Sequence, residues 1–229
     1  MLINRNTIAM TIGALALLPC ASHASVTLYT SSAAFTTALG SETVTAEDYG
    51  TLTPGTLIPN GSTVDGLTYN FTTTPTLSGG VITNQFNSFS GTSLGGDQLN
   101  LAAEFFFDGD TFNVTFPNAV NAFGAYFNVN ADSGSFFVNT SAGDATTGSA
   151  SYDISTFVFA GLISSTPFTS ATIGSTSGGN GTASYNIPKL LYAKNATVVP
   201  EPSPVAVFAI AGLCVGVLIL RGRRAGECG

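Results

Sequence analysis

Residues 100–116 read NLAAEFFFDGDTFNVTF, two apolar runs on either side of Asp108-Gly109-Asp110. A turn of that composition between strand-like arms predicts a β-hairpin. In the outgoing arm Phe112, Val114 and Phe116 share one face, and Thr111, Asn113 and Thr115 share the other. That period of two belongs to a strand with one buried face. Pro117-Asn118 predicts the next turn. Residues 121–129 then set Phe123, Ala125, Phe127 and Val129 on one side, and Ser133-Gly134 turns the chain into a strand over 135–140.

The same reading extends outward. Residues 26–29 form a candidate strand. Residues 33–39 suit a short helix, with Ser31 or Ser32 as its cap and Gly40 as its stop. Residues 44–48 form a strand carrying Glu47 and Asp48, and Pro54 and Pro59 make 50–60 a loop. Asn60-Gly61 is a turn, and 64–71 alternates around Leu67, Tyr69 and Phe71. Gly79-Gly80 and Gly95-Gly96 break the following stretch into short pieces. After a loop at 143–149, strands are expected over 152–163 and 167–173. Residues 182–193 close the body, with Pro188 calling for an edge position or a bulge. Many short strands with frequent turns predict an all-β fold, an antiparallel β-sandwich arranged as a jelly roll. An up-and-down barrel is the alternative.

Composition narrows the chemistry. Residues 25–198 hold eleven acidic side chains against two lysines, Lys189 and Lys194. Such a surface repels nucleic acid and anionic membrane. Charged residues make up 8% of the chain, so Ser, Thr, Asn and Gly supply the polar surface. Seventeen Phe and seven Tyr supply core material, which argues for an ordered domain. The three cysteines, Cys20, Cys214 and Cys228, all lie outside residues 25–198. The body therefore has no disulfide, cysteine nucleophile or zinc-thiolate site.

The two ends read as targeting segments. Residues 1–24 resemble a secretory signal peptide: Arg5 in the first stretch, an apolar run over 8–18, and Ser22-His23-Ala24 for signal peptidase, with cleavage after Ala24. A retained signal anchor, and a lipoprotein signal at Cys20 behind an unsuited Pro19, are the alternatives. Residues 195–204 form a proline-rich linker with Pro200, Pro202 and Pro204, which favour an extended conformation. Residues 205–220 are uniformly apolar and suggest a transmembrane helix of about 24 Å against a hydrocarbon core of about 30 Å. Arg221, Arg223 and Arg224 in the 221–229 tail act as a membrane stop that remains cytoplasmic and puts the body outside.

Val199-Pro200-Glu201-Pro202, an apolar segment containing Gly212-Leu213, and a terminal arginine cluster occur in that order. Together they resemble the PEP-CTERM sorting signal of Gram-negative, polysaccharide-producing bacteria. The resemblance covers residues 199–229. It implies that an exosortase, an integral membrane cysteine enzyme of transpeptidase type, reads the Pro-Glu-Pro motif. It also implies export across the inner membrane, a transient membrane-anchored stage, and delivery to the cell surface or extracellular space. Exopolysaccharide is a candidate partner. The chain departs from the pattern by continuing through Glu227 and Cys228 after its arginines. The body is more loosely similar to the variable exported domains that carry this signal, in strings such as 54–58, 121–127 and 166–171. Those domains often carry an Asp pair before an apolar-Tyr ending, where this chain has Pro188-Lys189.

Catalytic material is sparse. His23 is the single histidine and leaves with the signal peptide, which removes Ser-His-Asp chemistry from the body. Glu104, Asp108 and Asp110 flank a turn as candidate ligands for a structural calcium, with Glu47 and Asp48 reaching across a sheet; a solvated acidic turn is the plainer alternative. Glu47 and Glu104 are the available pair for a glycoside hydrolase. Tyr126, Tyr152 and Tyr185 are candidate glycan contacts, with ordinary sheet packing as the alternative. The expectation is a non-enzymatic envelope or extracellular-matrix protein. A glycan-binding module is the alternative, and a glycoside hydrolase the remote one.

Overall fold

The computed structural model describes residues 25–72, 77–84, 92–98, 104–107, 109–130, 132–148, 150–152, 156–177 and 184–194. In order, the elements are β1 (Val26–Tyr29), α1 (Ser32–Leu39), β2 (Val44–Asp48), a 3-10 turn (Tyr49–Thr51), β3 (Leu57–Pro59), β4 (Thr63–Val64), β5 (Leu67–Thr72), β6 (Leu77–Thr83), β7 (Ser93–Gln98) and β8 (Phe106–Phe107). Then follow β9 (Thr111–Asn130), β10 (Asp132–Thr140), β11 (Gly143–Thr146), β12 (Ala150–Tyr152), β13 (Thr156–Ser177), β14 (Ser184–Asn186) and β15 (Lys189–Ala193).

The strands form one twelve-stranded antiparallel sheet and a three-stranded sheet ordered β3-β6-β7. Two long strands, β9 and β13, pair along the middle of the larger sheet. Each is flanked by different partners along its length. The start of β9 pairs with β5, and its end with β14 and β15. The start of β13 pairs with β1, and its end with β10. The β9–β13 register is interrupted between Ile163 and Ser170, beside Pro117 and Pro167. Proline cannot donate to a ladder, and bulges bend the strands that carry them. Rings from both arms meet in one core: Phe127 of the late β9 packs on Phe136 of β10, their centroids 5.1 Å apart.

The jelly-roll expectation is corrected by this topology. The larger sheet is continuous through β9 and β13, and its path from β11 to β8 is open, so it is no closed barrel either. The opening hairpin is also corrected. The turn forms, with the Asp110 amide donating to the Phe107 carbonyl at 2.9 Å. The arms do not pair, because β8 pairs with β14 while Thr111–Thr115 pair with β5 and β13. The face assignment holds: Phe112, Val114, Phe116, Phe123, Ala125, Phe127 and Val129 are all buried.

The transmembrane expectation needs correction as well. The one α-helix among the described residues, α1, has eight residues, and no helix among them is long and apolar enough to cross a membrane. Residues 205–220, on which the transmembrane helix and the membrane-anchored stage rested, lie outside the described residues, as do residues 1–24 and the sorting motif.

A second, smaller cluster lies on the opposite face of the sheet, under α1. It comprises Phe35, Leu39, Ala122, Phe159, Ile163, Leu191 and Ala193. Ser31 caps α1, its hydroxyl accepting from the Ala34 amide, and Gly40 stops it at φ 61°. Phe35 and Leu39, four apart, face the sheet.

Candidate functional site

Two regions gather chemistry-bearing side chains. The first surrounds Glu47 on β2. That strand pairs with β15, placing Glu47 opposite Leu190 and Thr45 opposite Tyr192. Period two therefore turns Glu47 toward the main core, and only 5% of it is exposed. Its neighbour Asp48 turns to the other face and meets Lys189 across the ladder at 2.6 Å.

The partner of Glu47 is Asp65, to which its carboxyl is hydrogen-bonded. Asp65 and Gly66 are the two turn residues between β4 and β5, at φ 48° and 85°. This is a two-residue hairpin with positive φ at both centres, the geometry that favours Asp-Gly. Burial, then the Asp65 charge and hydrogen bond, then Asp48 push the Glu47 carboxyl up from 4.5 to about 7. Two carboxyls in direct contact favour sharing one proton. Nearby, the buried Tyr49 and Tyr69 hydroxyls bond to each other at 2.8 Å. Burial raises both phenols, and Tyr192 as well.

The sequence-derived candidates are dispersed. Asp110 is 2% exposed, and its carboxylate accepts from the Phe107 amide at 2.8 Å, closing the turn. Glu104 forms an isolated bridge with Asp97 and is not among the groups acting on Glu47. Asp108 lies outside the described residues. No group of three or more His, Cys, Asp or Glu side chains among the described residues is placed to hold a metal ion. Glu47 contacts Asp65 instead of forming the expected pair with Glu104. Asp65 was missed, although Asp65-Gly66 between Val64 and Leu67 is a hairpin signal.

The tyrosines separate as sharply. Tyr185 is fully buried, stacks on Phe106 at 5.3 Å, and donates to the Asp110 carbonyl at 2.6 Å. That corrects its assignment as a glycan contact. The Tyr152 backbone pairs with Asp132 in β12, and its side chain lies outside the described set. Tyr126 is half-buried and lines an open groove of about 500 Å³ between the start of α1, the β11–β12 connection and the β9–β13 ladder.

This groove is the second region. Tyr126 and Phe159 are cross-strand partners, their rings 5.1 Å apart and edge to face. Phe157 stands two residues before Phe159 on the same side of β13 and lines the groove with them. The Phe159 ring lies across Gly124 and Gly161, which also face each other in register. A Cβ at Gly124 would approach that ring to 2.4 Å. The rim carries the hydroxyls of Thr30, Ser31, Ser32 and Thr147, and among the described residues no charged side chain lines the groove. A separate cleft of about 330 Å³ beside Tyr192 is charged, lined by Glu42 and Lys194.

No family model matches the chain, and neither a curated protein nor a solved structure matches it.

Proposed function

We propose that this chain is a non-enzymatic exported protein of the envelope or extracellular matrix, directed by its Pro-Glu-Pro motif to an exosortase-type transpeptidase. The observation that carries the reading is Val199-Pro200-Glu201-Pro202, which begins six residues after β15 ends at Ala193. The motif thus follows the last strand of the body in sequence.

The carboxyls described above support a structural role for the body. Glu47 is hydrogen-bonded to Asp65, Asp48 is paired with Lys189, and Asp110 closes a turn. A retaining or inverting glycosidase instead needs two carboxyls set apart on either side of a sugar, roughly 5–10 Å from one another. Direct contact between Glu47 and Asp65 leaves no room for that sugar.

The test is replacement of Pro200, Glu201 and Pro202 together by alanine in a host that carries an exosortase. The variant is expected to keep a higher mature mass and to be lost from the extracellular fraction. Unchanged mass and distribution would overturn the reading.

A further inference from the structure

We propose that the groove over Tyr126, Phe157 and Phe159 is a binding site for a neutral polysaccharide segment. Three features select that ligand. The floor is aromatic, and the weakly polar C–H face of a pyranose ring packs well on such a surface. The rim is hydroxylic: Thr30, Ser31 and Ser32 carry groups that both donate and accept, matching the hydroxyls of a sugar, while the Thr147 hydroxyl holds its own turn through the Phe136 amide and the Gly148 carbonyl. Ser31 already accepts the helix-cap bond from Ala34 and retains its proton to donate.

Charge decides between sugar classes. Among the described residues no charged side chain lines the groove, and the body around it carries eleven acidic residues against two lysines. A uronate or sulfated chain would meet repulsion with no cation in the groove to offset it. A lipid tail would bring no partners for the hydroxyl rim. The volume of about 500 Å³ falls within the range of roughly 300–1,000 Å³ typical of ligand sites. The groove is open, which suits a stretch of a long chain.

The site is preformed. Phe159 is 4% exposed and held between Phe35 of α1 and Tyr126, at 5.4 and 5.1 Å. Its place over Gly124 and Gly161 sets the depth of the floor. Binding would therefore require little reordering of the aromatic surface. The inference is independent of the sorting motif, since it rests on the folded body alone.

The experiment is native affinity electrophoresis of the full-length chain in mild detergent. The gels contain hydroxyethylcellulose, glucomannan or dextran as neutral probes and alginate as the acidic one. Retardation by at least one neutral polymer is expected. Tyr126→Ala and Phe157→Ala should each weaken it about tenfold. Tyr126→Phe, which keeps the ring, should retain most of it. Leu57→Ser, on the separate three-stranded sheet, should leave it unchanged, and circular dichroism of each variant reports the fold. If Tyr126→Ala misfolds, Ser32→Ala tests the rim and should weaken retardation. Absence of retardation by every neutral polymer overturns the proposal. So does retardation that survives both ring deletions, or alginate retardation as strong as the neutral signal. Light scattering that shows a dimer abolished by Tyr126→Ala would overturn it in favour of self-association.

Discussion

The Glu47 region and the Tyr126 groove lie on opposite faces of the same sheet and make opposite use of their residues. Around Glu47 the ionisable groups face the core and engage one another. Around Tyr126 uncharged side chains stand at an open concavity. The residue types that attract attention in a sequence are here occupied in fixing strands and turns. Ordinary strand residues, placed where α1 stops covering the sheet, form the accessible surface.

The largest test of that contrast applies the same substitution to two tyrosines. Tyr185→Ala removes a fully buried ring stacked among Phe106, Phe127 and Phe136, and should cost roughly 3–5 kcal/mol in denaturant unfolding. Tyr126→Ala should cost under about 1 kcal/mol. Equal losses would erase the distinction between core and groove.

A slightly smaller effect concerns pH. The Glu47 carboxyl sits at about 7 in the fold against 4.5 as its ordinary value, so the folded state holds the proton more tightly than the unfolded chain. Its contribution is complete below about 4.5 and is lost as pH rises through about 7. Stability should fall across that window by on the order of 3 kcal/mol. Glu47→Gln should flatten the slope, because glutamine can still donate to Asp65. A slope unchanged in the variant would remove Glu47 as its source.

Much of this contrast was legible locally, and the rest was not. The bounds of β1 and β2, the Ser31 cap and the Gly40 stop all follow from residues within a few positions. The alternation through Phe112, Val114 and Phe116 gave the buried face correctly. The strand partners depended on distant residues. Nothing in residues 100–116 shows that Ser184–Asn186 will pair with β8 and leave the two arms apart. Gly79-Gly80 and Gly95-Gly96 read as breaks, yet they run through β6 and β7, where burial of Val81, Ile82 and Leu94 outweighs the weak local preference. Glu47 and Asp65 are eighteen positions apart in sequence, so only the pairing of β2 with β15 and the β4–β5 turn brings them together.

Two smaller perturbations sharpen the comparison. Gly124→Ala drives a methyl group into the Phe159 ring and should cost about 1–2 kcal/mol, with altered near-ultraviolet dichroism from the displaced aromatics. An unaltered spectrum and stability would show that the floor is not fixed by that ring. Lys189→Met removes the cation from a pair whose side chains are 37% and 41% exposed. Solvent screens it, and the change should stay below about 1 kcal/mol, shrinking further in high salt. A large loss would mean that the pair on the exposed face matters as much as the buried carboxyls.

The interruption in the β9–β13 ladder has a consequence for how this chain can vary. From Ile163 to Ser170 one strand advances seven positions, and from Ala122 to Thr115 the other also advances seven. The irregularities cancel, so both arms keep the same frame. Deleting one residue at either bend would put one arm out of frame and turn its inward rings outward. Length changes here are tolerable only when matched across the two strands, so the corner should vary as a linked pair of segments some fifty residues apart.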